Sequence, residues 1–221
     1  MSIVSVDASH QVITDSPWID QMHLRQLTAW LPMIGDFEDK YCLSFLNLNE
    51  KLCVLCGSVF SAGRRIGSPS QVVTQVLPFR KQLLGNYFGN PALLAYYCLS
   101  NGLLSRDDVD SISELNNEIV FDPNRWAKEF DIGQLKEIGR SIALHGRAVV
   151  FKSGNPIKLI ASLYSTIEDG EGPLNFSFGA KLTQRLPFQL QICHEMDPRT
   201  KSLLASQAIR HFQARDVVEV A

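Results

Sequence analysis

Tyr41-Cys42-Leu43-Ser44-Phe45-Leu46-Asn47-Leu48-Asn49-Glu50-Lys51-Leu52-Cys53-Val54-Leu55-Cys56-Gly57-Ser58-Val59-Phe60 is the stretch on which the fold class turns. Two β-favouring runs, Tyr41 to Leu48 and Leu52 to Phe60, flank the short polar break Asn49-Glu50-Lys51, and together they read as a hairpin. A third run, Val72 to Leu77, follows the Gly63–Pro69 loop. Further along, Arg147 to Phe151, Leu174 to Leu182 and Phe188 to His194 supply more strands. In the last of these, Phe188, Leu190 and Ile192 alternate with Gln189, Gln191 and Cys193, which predicts a strand with one face in water.

Helix starts are marked by prolines that follow a capping residue: Ser16-Pro17, Asn90-Pro91, Asp122-Pro123, Asn155-Pro156 and Asp197-Pro198. The cap accepts from a free first-turn amide, and proline loses nothing where its missing N–H would be unpaired. The helix from Pro17 is predicted to stop at Pro32. The helix from Pro91 is predicted to end at Asn101-Gly102, where the left-handed conformation is tolerated. Ile157, Ile160, Ala161, Tyr164 and Ile167 share one helix face after Pro156. After Pro198, Leu204, Ala205, Ala208, Ile209 and Phe212 do the same. Strands and helices mix without a regular βαβ rhythm, so the predicted class is α+β, with a largely antiparallel sheet or sheets, packed helices and room for two lobes.

The chain has 221 residues, a formal charge of -2, 45% apolar and 20% charged residues, which is globular usage. No apolar run approaches the roughly 20 residues that span a bilayer, and the first residues lack a basic leader region. With no basic stripe, nucleic acid is not the expected partner. Five cysteines, an odd number, fit reduced thiols and a cytoplasmic setting. The one compositional break, Asp107 to Asn124, holds six acids and no base. It divides the chain into an N-terminal lobe (1–104), an acidic connection (105–122) and a C-terminal lobe (123–221), or else lies within a single domain over 1–221.

Four constellations bear on chemistry. Cys53-x-x-Cys56 lies in a predicted strand, where residues three apart point to opposite faces, and it has no second pair to complete a zinc site; buried apolar thiols are the expected reading. Cys193, His194 and Glu195 hold the residue types of a thiol hydrolase, but neighbours on a strand face opposite ways. Asp197 is accounted for as a helix cap. Lys152-Ser153-Gly154-Asn155 leads into a helix, and Lys152, Gly154 and Asn155 are the candidate phosphate contacts; a phosphate loop normally offers more glycines, so turn plus cap is the plainer account. The loop around Arg64 and Arg65 is basic and exposed by composition. No metal site and no cofactor are expected.

Two ordered groups of motifs carry a resemblance. The first runs from Asp39-Lys40-Tyr41-Cys42-Leu43 through Val72-Val73-Thr74-Gln75-Val76-Leu77 to Gly89-Asn90-Pro91-Ala92-Leu93-Leu94. The second is Phe176-Ser177-Phe178-Gly179-Ala180-Lys181-Leu182 followed by Gln184-Arg185-Leu186-Pro187-Phe188-Gln189-Leu190. Over residues 39 to 195 the chain resembles the N-terminal domain of bacterial GTPase-associated proteins. Gln75 stands where that family shows a histidine, and Phe178-Gly179-Ala180 replaces its S-T-G pattern. An amide at position 75 has no titratable proton for base catalysis.

The resemblance implies a non-catalytic module in multi-domain signalling or defence systems built around a regulatory GTPase. The expected partner is therefore a protein: a GTPase or another component of its system. Arg64, Arg65 and Arg185 are the candidate contacts, since arginine is enriched at interface hot spots. Two other classes stay open: a hydrolase or nucleotide-handling enzyme using the Cys193-His194 region or the Lys152–Asn155 loop, and a homo-oligomer subunit. Phe176, Phe178 and Ala180 fall on one strand face. Gly179 on the other face allows a bulge or the close approach of a second backbone.

Overall fold

The hairpin from Tyr41 forms the middle of one nine-stranded sheet. The computed structural model describes residues 2–6, 9–14, 16–38, 40–61, 70–104, 126, 128–151, 154–167, 173–183 and 187–214. Its strands are β1 (Ser2–Val6), β2 (Ser9–Thr14), β3 (Tyr41–Asn47), β4 (Leu52–Ser61), β5 (Gln71–Arg80), β6 (Ala148–Phe151), β7 (Phe176–Phe178), β8 (Leu190–Cys193) and β9 (Arg210–Gln213). Its helices are α1 (Gln21–Trp30), α2 (Pro91–Ser100), α3 (Ile132–His145), α4 (Pro156–Tyr164) and α5 (Pro198–Ser206), with 3-10 turns at Ile34–Asp36 and Lys81–Tyr87.

Sheet order is β2-β1-β5-β4-β3-β7-β8-β6-β9. The pairings from β2 across to β7 are antiparallel, and those of β7, β8, β6 and β9 are parallel. The α+β class with a mostly antiparallel sheet is therefore observed, with a parallel end added. β3 pairs with β7, so strands from both halves of the chain share one sheet. The acidic connection at 105–122 lies outside the described residues. Among the described residues no helix is long and apolar enough to cross a membrane.

Burial follows the pleat. Leu43 and Phe45 of β3, Cys53 and Leu55 of β4, and Val150 of β6 join α2, α3 and α4 in one apolar cluster. Leu46, Val54, Cys56 and Val76 face the other way and meet Leu27 and Leu31 at α1. On that second face Val149, Phe151 and Cys193 pack on Leu204 of α5. Successive residues of a strand point to opposite faces, which is why neighbours such as Val149 and Val150 sit in different clusters.

Three capped starts stand as read. Asn90, Asn155 and Asp197 accept from the amides of Ala92, Lys158 and Thr200, each followed by proline at the first helical position. The helix from Pro91 closes at Asn101-Gly102, with Gly102 at φ +67°. Two expectations are corrected. Ser16-Pro17 opens a turn instead of a helix: the Ile19 N–H donates to Ser16 O at 3.2 Å. α1 starts later because Asp20 is its cap, and Ile19 before the cap joins Leu24 in one cluster, fixing the approach of the chain.

The helix from Pro198 does not continue to Phe212. It stops at Ser206, where Ala208 turns left-handed at φ +51° and the Ile209 N–H reaches back to Leu204 O at 3.0 Å. That bond and the Ile209–Leu204 apolar contact are the pattern of a helix terminus. The chain then re-enters the sheet as β9.

Two strand readings also change. The Leu174–Leu182 run forms only the short β7, because Gly179 takes φ +79°. Past that glycine the chain leaves β3 and bonds to residues 36–38 instead: Glu38 N–H to Gly179 O at 3.1 Å and Lys181 N–H to Asp36 O at 2.6 Å. In β8 the expected wet face is dry. Gln191 is fully buried and Cys193 nearly so, because the Ala180–Thr183 segment and α5 cover that side.

Candidate functional site

Of the sequence-derived candidates, Gly154, Asn155, Cys193, His194 and Glu195 lie at one end of the parallel strands. Phe151 and Cys193 are register partners in β6 and β8, so the residues after them, toward Asn155 and toward Asp197, leave side by side at the carboxyl ends. The helices that follow go to opposite faces: Ile157 and Ile160 of α4 share a cluster with Val150, and Leu204 of α5 shares one with Phe151. A crevice outside two such strands is where open parallel sheets place ligands. Lys152, Arg64, Arg65 and Arg185 lie outside the described residues. Gly154 is exposed, and the Asn155 side chain is occupied as the α4 cap, accepting from Lys158 N–H at 3.1 Å.

Cys193, His194 and Glu195 do not form a thiol–imidazole pair. The Cys193 thiol points inward toward Ala180 O at 3.8 Å, among Phe151, Leu182 and Leu204. His194 is exposed, and its backbone N–H donates to Glu38 Oε2 at 2.8 Å. Burial raises the Cys193 thiol and the Glu38 carboxyl, and the nearby Glu38 pushes the thiol further the same way.

The remaining thiols are equally shielded. Burial pushes Cys42 up to about 12 and both Cys53 and Cys98 up to about 11, and it raises Cys56 as well. Cys53 and Cys56 lie on opposite faces of the sheet, as the strand reading required. A native sample treated with iodoacetamide near pH 8 is therefore expected to resist labelling at all five cysteines, with all five reacting after unfolding. Rapid modification of Cys193 in the folded chain would restore it as a candidate nucleophile. Among the described residues no three of His, Cys, Asp and Glu gather as a metal-ligand set.

A second site was missed in the sequence. At the far end of the β3–β4 hairpin a cleft of about 550 Å³ is lined by Trp18, His23, Asn49, Glu50, Lys51, Leu52 and Arg80. Trp18, in the turn before α1, is 48% exposed, and the Arg80 guanidinium lies 5.3 Å from its ring centre. Such a contact contributes about 0.5–1 kcal/mol at an exposed site and also holds the arginine still.

The floor of the cleft is a fixed polar chain. Asn49 Oδ1 accepts from the N–H groups of Lys51 and Leu52, both at 2.8 Å, which closes the hairpin turn. The amide is thereby oriented, and its Nδ2 donates to His23 Nε2 at 3.0 Å. With Nε2 accepting, the neutral imidazole carries its proton on Nδ1, which lies 2.9 Å from Asp20 Oδ1. The same carboxylate oxygen caps α1 through the His23 N–H at 2.8 Å; that hydrogen bond, with the imidazole adding to it, holds Asp20 below the usual carboxylate range.

Set against protein-family models, curated proteins and solved structures, the chain matches none of them.

Proposed function

We propose that this chain is a non-catalytic protein-interaction module that docks its partner on the Trp18–Arg80 cleft. The observation that carries the reading is a half-exposed tryptophan held under an arginine at the mouth of a cleft. Tryptophan and arginine dominate interface hot spots because they bring large contact area and directed donors at little ordering cost. The inward Cys193 and outward His194 support a binding role over a hydrolytic one. The resemblance to GTPase-associated proteins supplies the class of partner: a GTPase or another component of its system.

A photo-crosslinker placed at Glu50 in source cells tests this. The expected result is a discrete protein adduct that Trp18→Ala reduces about ten-fold or more, in line with a hot-spot loss. Equal adduct yield from the Trp18→Ala chain, or no adduct at physiological salt, would overturn the reading.

A second reading has one observation behind it. From the carboxyl ends of β6 and β8 the chain leaves to helices on opposite faces, which is the position where open parallel sheets bind nucleotides. A nucleotide that raised the melting temperature of the wild type, by an amount Asn155→Ala removed, would favour it.

A further inference from the structure

We infer that the occupant of the Trp18–Arg80 cleft is an acidic segment of a protein partner, carrying a carboxylate next to an apolar side chain. This rests on the docking reading above and adds the chemistry of the docked segment. The chain as a whole carries a formal charge of -2, yet the lining of this cleft holds two cations to one carboxylate. Lys51 and Arg80 line the cleft, at the ends of β4 and β5. Among the described residues neither Lys51 nor Arg80 forms an ion pair.

Among the described residues Glu50 is the one carboxylate in the lining; Asp20 beside it keeps its charge and caps α1 through the His23 N–H. His23 also lines the cleft, with its Nε2 occupied by the Asn49 amide. An incoming segment thus meets two cations, Lys51 and Arg80, against the carboxylate of Glu50, which favours an anionic segment over a cationic one. Local sign of this kind steers encounter and selects between partners.

Geometry adds the apolar requirement. Arg80 lies over Trp18 with its stem and ring contact already formed, so little side-chain freedom remains to be lost on binding. A carboxylate meets the guanidinium edge, and an aliphatic or aromatic neighbour covers the ring surface that is open to solvent. A volume of about 550 Å³ falls within the range that encloses small ligands and admits a few side chains of a peptide.

The test uses the full chain and three labelled probes at physiological salt: a short peptide of alternating Glu and Leu, the same peptide with Gln for Glu, and a single-stranded oligonucleotide of matching charge. The Glu peptide is expected to bind and to change the emission of Trp18, a change absent from Trp18→Phe. Raising the salt, or Arg80→Glu, is expected to weaken it about ten-fold or more, and Glu50→Gln to tighten it. Circular dichroism melts check that these exposed-site variants keep the fold.

Equal binding of the Gln peptide, tighter binding of the oligonucleotide, failure of the Glu peptide to bind, or indifference to Arg80→Glu would each overturn the acidic-segment proposal. The docking reading is judged separately, by the Trp18 dependence of the Glu50 crosslink. A Trp18-dependent adduct together with charge-blind peptide binding would remove the acidic chemistry alone. An adduct indifferent to Trp18 would remove both.

Discussion

Gly179→Ala is expected to destabilise the protein by about 3 kcal/mol or more, from left-handed strain and a backbone collision together. Gly179 has φ +79°, where an L side chain already costs about 1–2 kcal/mol. A Cβ at this position would also run into the carbonyl oxygen of Tyr41 and come within 3.2 Å of Cys42 Cα. Both are backbone atoms of β3, which is fixed by β4 on one side and β7 on the other. They have no rotamer by which to yield, so the strand itself must shift. Gly89→Ala is the control: φ is +70°, but nothing lies within 4 Å of the added carbon. It should cost only about 1–2 kcal/mol. Urea unfolding followed by circular dichroism reads the difference, with the Gly179→Ala midpoint about 1 M or more below the wild type. Equal midpoints for the two variants would mean that β3 accommodates the carbon and that the close approach is not what makes glycine necessary.

The glycine shows what was legible in the sequence. A lone glycine inside an apolar run allowed a bulge or a close backbone approach, of which the second is found, and the hairpin, the three Asx-Pro helix starts and the split of Cys53 from Cys56 were equally local. Each follows from groups a few residues apart. The failures share the opposite property. Gln191 reads as the wet side of an alternating strand, and only the Ala180–Thr183 segment, placed by the turn at Gly179, makes that side dry. β9 was hidden inside an apparent helix because Ile209 and Phe212 keep the helical spacing, while the left-handed Ala208 carries no glycine to announce it.

α3 went unread although its signals were present: Asp131 as cap, Leu135, Ile138 and Ile142 on the buried face, and Gly146 as the left-handed stop. It lacks the proline that marks the starts of α2, α4 and α5, and Gly133 and Gly139 dilute its propensity. The parallel end of the sheet was lost because three of its strands have only four residues and the fourth has three. The Trp18 cleft needs three distant pieces, the turn before α1, the tip at Asn49–Leu52 and the end of β5. A tryptophan beside a turn proline was its only local sign.

Gln191→Leu is expected to cost about 2–4 kcal/mol, although it replaces a polar side chain by an apolar one in the core. The amide does three jobs at once. Its Nε2 donates to Ala180 O and Lys181 O, both at 3.0 Å, and its Oε1 accepts from Arg147 Nη2 at 3.2 Å. Leucine would leave two carbonyls and a cation short of partners where water does not reach. The Ala180–Lys181 chain would also lose its tie to β8. Arg147 is the half-buried flank of this arrangement. Its Nε is buried with no hydrogen-bond partner among the described residues, and burial pulls its pKa down.

Arg147→Met should therefore cost less than Gln191→Leu, because it removes an incompletely paired cation along with the bonds it does make. The double variant should be less destabilised than the sum of the two by about 1 kcal/mol or more, since the guanidinium stranded by Gln191→Leu would be gone. A double-mutant cycle from urea unfolding measures that coupling. Strict additivity would show that the Gln191–Arg147 contact carries nothing. A neutral Gln191→Leu would show that this face of β8 is hydrated after all, and that the alternation read in the sequence describes the strand better than its burial does.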